Sequence, residues 1–185
     1  MRFADTNILL YAISRDPAEQ DKATRANDIL AERDLALSVQ VLQEFYVQAT
    51  RPSRPDAIGH RQAVLLIESF RRFPVQDVTS GIMLAALDAR QRFQLSYWDA
   101  AIIEAARALG CTHVLSEDLS DGQDYGGVRV TNPFRCGSHA AGAAVLLRFI
   151  GVECDQDDSG DQDRDPDPAE DDAGGSQARA RLRAC

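Results

Sequence analysis

Lysine is almost missing from these 185 residues: Lys22 stands alone against nineteen arginines. Functions that need a catalytic or phosphate-gripping lysine elsewhere, a P-loop among them, are excluded. Aromatic residues make up only 6% of the chain. No apolar run approaches the roughly 18 residues of a membrane span, and Met1-Arg2-Phe3-Ala4-Asp5 lacks the form of a signal peptide. The expectation is a protein that is neither exported nor membrane-spanning. The four cysteines, Cys111, Cys136, Cys154 and Cys185, are too scattered for a dense disulfide framework. They read as reduced thiols in a cytoplasm.

Against these absences, 44% of the chain is hydrophobic, enough for one domain with a proper core and some chain left over. The net charge of −9 is unevenly spread. Residues 1–134 hold 14 basic and 18 acidic side chains, and residues 135–185 hold 6 and 11. Between 153 and 172, eleven acids face Arg164 alone. Such a run repels itself and has no apolar period. The prediction is a folded domain over 1–134, a linker or short helix over 135–152, and a disordered acidic tail over 153–185.

Within the domain, short apolar strands alternate with helical patterns. Strands are predicted at 2–4, 35–37, 75–78, 112–116 and 128–131. Asp16-Pro17 resembles a helix entry. Ser38 caps a helix that Arg51-Pro52 stops. Further helices are predicted from about Asp56 to Phe73, from Ser80 to Phe93, and from Ser96 to Leu109, the last ended by Gly110. This alternation predicts an α/β domain with a mostly parallel sheet.

Ligands of open α/β sheets bind beyond the carboxyl ends of the strands. Asp5 and Asp118 occupy such ends. Asp99 falls on a helical stripe with Ile102, Ile103 and Ala106, where a carboxylate is costly unless paired; a helix cap with Ser96 would also account for it. Glu44 lies at the edge of an apolar helix face. Acids from separate elements suit a hard cation such as Mg²⁺ or Mn²⁺, and such ions promote displacement at phosphorus. Without these four acids the domain has equal numbers of acidic and basic residues, so its charge excess is concentrated in the candidate site.

Four motifs then stand in order: Phe3-Ala4-Asp5-Thr6-Asn7-Ile8-Leu9-Leu10-Tyr11, Gln43-Glu44-Phe45-Tyr46, Leu95-Ser96-Tyr97-Trp98-Asp99-Ala100-Ala101-Ile102 and Leu115-Ser116-Glu117-Asp118-Leu119. In this order and spacing the chain resembles the PIN-domain nucleases, and among them the VapC-type toxins, over essentially all of residues 1–134. The resemblance implies a three-layer α/β/α fold and metal-binding acids at Asp5, Glu44, Asp99 and Asp118, with Asp121 an alternative fourth ligand. Thr6, Asn7 and Ser116 match positions that orient acids or waters. It also implies a Mg²⁺- or Mn²⁺-dependent endoribonuclease, the toxin of a type II toxin–antitoxin pair. Its partners would be RNA, a cognate antitoxin and a second copy in a homodimer. A catalytically silent module of the same fold, holding RNA or a protein, is the alternative. Intact acids at all four positions favour the enzyme.

Other signals carry less. Asp155-Gln156-Asp157-Asp158-Ser159-Gly160 imitates half of a calcium loop, but Pro166 stands where a bidentate Glu belongs. Cys111 and His113 with Cys136 and His139 lack zinc spacing. Tyr97 and Trp98 are expected in the core rather than as stacking platforms. Arg51 and Arg54, beside Pro52 and Pro55, either grip RNA phosphates or form a solvated turn.

Overall fold

The computed structural model describes residues 1–135. Five strands, β1 (Arg2–Ala4), β2 (Leu35–Ser38), β3 (Val75–Gln76), β4 (His113–Leu115) and β5 (Arg129–Thr131), form one sheet in the order β3-β2-β1-β4-β5. Every pairing is parallel. The helices are α1 (Thr6–Ala12), α2 (Gln20–Ala31), α3 (Val39–Ala49), α4 (His60–Phe70), α5 (Ser80–Phe93) and α6 (Tyr97–Ala108).

The path β1→β2→β3 runs one way across the sheet, and the chain then returns through α5 and α6 to place β4 on the far side of β1. Right-handed crossovers put helices of opposite travel on opposite faces, which gives the three-layer α/β/α arrangement. Reversal of strand order makes the gap between β1 and β4 the switch point, where ligands of such sheets bind.

Local chemistry explains most boundaries. Ser38 accepts from the Val41 amide to cap α3, and Ser96 accepts from the Asp99 amide to cap α6. Beyond α6, Gly110 takes a φ of 71°, a left-handed value that glycine adopts without strain. The core is aliphatic with a few phenylalanines: Phe3, Ile8, Leu9, Leu35, Leu37, Val41, Phe45, Leu66, Phe70 and Ile103 are fully buried. Phe45 and Phe70 meet edge to face at 5.4 Å between centroids, joining α3 to α4.

Three sequence expectations are corrected. The helix expected from Asp56 begins only at His60, because Asp56 accepts from the Arg54 side chain and the Arg15 amide instead of capping a helix. Asp16-Pro17 opens a single 3-10 turn, Pro17–Glu19, before α2. Trp98 is not in the core: it is 61% exposed, while its neighbour Tyr97 packs against the small cluster of Ala86, Ala89, Ala100 and Ala101. Apart from Arg135, the expected linker or short helix and the acidic tail lie outside the described residues, as do the calcium-loop imitation and the Cys136–His139 pair. Among the described residues no helix is long and apolar enough to cross a membrane.

Candidate active site

Parallel register is what assembles the site. Ala4 pairs with Leu115, and the Asp5 amide continues the ladder by donating to the Leu115 carbonyl at 3.1 Å. Asp5 and Ser116 therefore leave adjacent strand ends side by side. Asp5 is also the N-cap of α1. Its Oδ1 accepts from the Thr6 amide at 2.6 Å, and its Oδ2 accepts from the Ser116 hydroxyl at 2.6 Å. Both Asp5 and Ser116 are buried.

From this pair, hydrogen bonds run to two further acids. The Thr6 hydroxyl donates to Glu44 Oε2 at 2.8 Å, tying the edge of α3 to the start of α1. On the other side Ser116 Oγ accepts from the Asp118 amide at 3.2 Å, and Asn7 Nδ2 donates to Asp118 Oδ2 at 3.3 Å. Three carboxylates are thus stitched around Thr6, Asn7 and Ser116. Burial pushes the Asp5 carboxyl up to about 6; Ser116 and Thr6 oppose the rise, and the nearby negative charges of Asp118 and Glu44 add to it. A buried carboxyl facing like charge is a costly arrangement that a cation relieves.

Asp99 is held differently. Its amide donates to Ser96 Oγ at 3.1 Å and its Oδ2 accepts from the same hydroxyl at 2.8 Å, so Ser96 caps α6 and holds the Asp99 carboxylate at once. No hydrogen bond connects it to the other three acids. The bridge between the two groups is Gln40, which sequence reasoning missed. Gln40 is buried, and its Nε2 donates to Glu44 Oε1 at 3.0 Å and to the Trp98 carbonyl at 3.3 Å. A polar residue four positions before Glu44, on the same helix face, was the signal available.

Asp121 is committed elsewhere. Its Oδ1 accepts from the Asn132 amide at 2.8 Å and its Oδ2 from Arg135 at 3.0 Å, contacts that hold its carboxyl below the usual carboxylate range. Arg54 pairs with Asp56 and donates to the Leu10 carbonyl at 3.3 Å, securing the loop before α4 to the end of α1. Arg51 is exposed. Among the described residues, no three His, Cys, Asp or Glu side chains converge closely enough to hold a metal ion by themselves.

The fold is shared with several solved structures. A toxin–antitoxin complex from Klebsiella pneumoniae is 20% identical, with 72% of this chain and 98% of that chain covered at a TM-score of 0.53. The VapC20 toxin of Mycobacterium tuberculosis, described as cleaving the sarcin–ricin loop, is 24% identical, with 71% and 100% covered and a TM-score of 0.51. A DNA-bound VapBC complex from Salmonella typhimurium is 19% identical, with 71% and 97% covered and a TM-score of 0.50. No curated protein sequence is significantly similar. The PIN domain model matches residues 2–120, well over half of the chain, and the chain belongs to the PIN domain family.

Proposed function

We propose that this protein is a divalent-metal-dependent endoribonuclease, the toxin of a toxin–antitoxin pair. The observation that carries the reading is the buried Asp5 carboxyl at the β1/β4 switch point, linked through Thr6 and Ser116 to Glu44 and Asp118. Asp5, Glu44 and Asp118 would hold the ion, and Asp99, whose neighbour Trp98 is tied to Glu44 through Gln40, would be the fourth ligand. The donors are all oxygen, which suits Mg²⁺ or Mn²⁺. Each of these ions retains several waters, so acids set too far apart for direct coordination can still bind through water. Buried Asn7 Oδ1, which has no hydrogen-bond partner, adds a further oxygen donor beside Asp118.

A bound Mg²⁺ or Mn²⁺ supplies an acidified water and offsets charge at the phosphodiester. The chain's own residues prepare the place. Ser116 and Thr6 fix both Asp5 oxygens, Thr6 and Gln40 fix Glu44, and Asn7 orients Asp118. An antitoxin partner is supported by the Klebsiella and Salmonella structures of similar fold, which are toxin–antitoxin complexes. Met83, Leu84 and Leu87 form an exposed apolar stripe on α5 and favour a homodimer.

The test is cleavage of single-stranded RNA by purified protein with Mg²⁺ or Mn²⁺, with chelator, and with Asp5→Ala. Cleavage that needs the metal and disappears in the variant supports the enzyme. RNA binding without any cleavage returns the chain to the silent-module reading.

A further inference from the structure

Trp98 is the only tryptophan in the chain. A side chain of this size normally contributes buried apolar area, yet here it is 61% exposed. It is the one large aromatic so exposed among the described residues. Its placement is not that of a loose surface residue. Trp98 lies in the first turn of α6, immediately before Asp99, with their Cα atoms about 3.8 Å apart. The Trp98 carbonyl accepts from Gln40, the same amide that holds Glu44, so the backbone carrying the indole is fixed to one of the acids. The indole rests against Tyr97 with centroids 5.1 Å apart and planes at 73°, and Tyr97 is anchored in the alanine cluster between α5 and α6. An aromatic ring is thus presented to solvent from a backbone braced to Glu44 through Gln40 and directly preceding Asp99.

We infer that Trp98 is a stacking platform for a base of single-stranded RNA, positioning the strand so that its backbone enters the site beside Asp99. The inference rests on the nuclease reading for the class of its ligand. Asp5, Glu44, Asp99 and Asp118 repel a phosphate backbone, so part of the strand affinity must come from groups outside the acids. Stacking supplies it without charge and without sequence preference, because every base has a π-face.

The sole tryptophan is its own reporter. The protein in chelator is titrated with a 12-nucleotide single-stranded RNA containing all four bases. Indole fluorescence and the anisotropy of a labelled copy of the RNA are read in parallel. The expected result is saturable quenching that follows the anisotropy. Trp98→Ala should bind the RNA roughly 5- to 150-fold more weakly, the span of one lost base–aromatic stack, and Trp98→Phe should restore most of the affinity. With metal, the alanine variant should raise KM for cleavage while changing kcat far less, and both variants should keep the parent's oligomeric state. RNA that binds without quenching overturns the platform, as does equal affinity in parent and alanine variant. Loss of the oligomeric state with RNA affinity intact also overturns it and assigns the indole to an interface with a second copy. The two readings fail separately. A parent that binds and quenches but never cuts ends the nuclease and keeps the platform; one that cuts with an unresponsive indole does the reverse.

Discussion

Ser116 donates its hydroxyl to Asp5 Oδ2 at 2.6 Å across the crevice between β1 and β4, in a place where both side chains are shielded from solvent. Ser116 Oγ in turn accepts from the Asp118 amide. One serine therefore fixes the most buried acid and the loop that carries the most exposed one. Replacing Ser116 with alanine removes a contact that holds the Asp5 carboxyl down, so the carboxyl should rise above about 6. The ionised form is the one that binds a cation. The acid limb of RNA cleavage should accordingly shift to higher pH, and stability should drop by about 1–3 kcal/mol for the partners left unsatisfied. A pH–rate profile superimposable on the parent's would remove Ser116 from this role.

Asp5 also links stability to pH. In the unfolded chain its carboxyl titrates near 3.8, and in the folded protein near 6. Between those values the folded state keeps a proton that the unfolded state releases. This group's contribution is fully present below about 4 and is lost as pH rises through 6, by as much as about 3 kcal/mol in chelator. Asp5→Asn should flatten that decline, since the amide does not ionise. Above pH 6, Mn²⁺ should restabilise the parent by mass action. Melting temperatures across pH 4–8 for both proteins, with and without Mn²⁺, test this; identical declines in parent and variant would contradict it.

Much of this arrangement was legible because its causes are local. Ser38, Ser96 and Gly110 act within a few residues of themselves: the two serines start α3 and α6 with their side chains, and Gly110 follows the end of α6 with a left-handed backbone. Asp56 was misread because one of its partners, the Arg15 amide, reaches it only in the fold, where with neighbouring Arg54 it holds the carboxylate away from a capping role. Trp98 was misread for a different reason. Tyr97 is spaced three and four residues from buried Ala100 and Ala101, and Trp98 equally from buried Ala101 and Ile102, so periodicity could not say which aromatic faces inward. Acids at strand ends were visible, but the amide of Gln40 that joins two of their elements was not.

The chain's single lysine illustrates the same limit. Lys22 Nζ donates to Glu117 at 2.7 Å and to the Tyr11 hydroxyl at 2.7 Å, and it lies 4.4 Å from the Tyr11 ring centroid. Burial lowers its pKa, but the bonds to Glu117 and Tyr11 outweigh it and push it up to about 12. Glu117 directly precedes Asp118, so this clamp secures the loop after β4 to α1 and α2. Lys22→Met should destabilise the protein by about 1–2 kcal/mol, more than an ordinary exposed ion pair contributes. Combined with Glu117→Gln the loss should be less than additive. Strictly additive losses in a double-mutant cycle would mean that the two side chains stabilise the fold independently.

Asp99 has an observed role at the start of α6 and a proposed one as a metal ligand, and one substitution separates them. In the first turn of α6 its carboxylate accepts from the capping Ser96 hydroxyl, and Asp99→Asn keeps most of that geometry while losing the acid's favourable interaction with the start of α6. The cost should be about 0.5–1 kcal/mol. As a metal ligand it would do more: Mn²⁺ should raise the melting temperature of the parent and do much less for the variant, and RNA cleavage should be lost although the variant is folded. The capping role alone gives the opposite forecast, with equal metal response and undiminished cleavage. Because Glu44 is tied through Gln40 to the residue before Asp99, Gln40→Ala should sit between these extremes. It leaves all four acids in place but loosens the start of α6 against α3, so it should weaken the Mn²⁺ response without abolishing it. A Gln40 variant with the parent's full metal response would show that Asp99 reaches the site, if at all, without that brace.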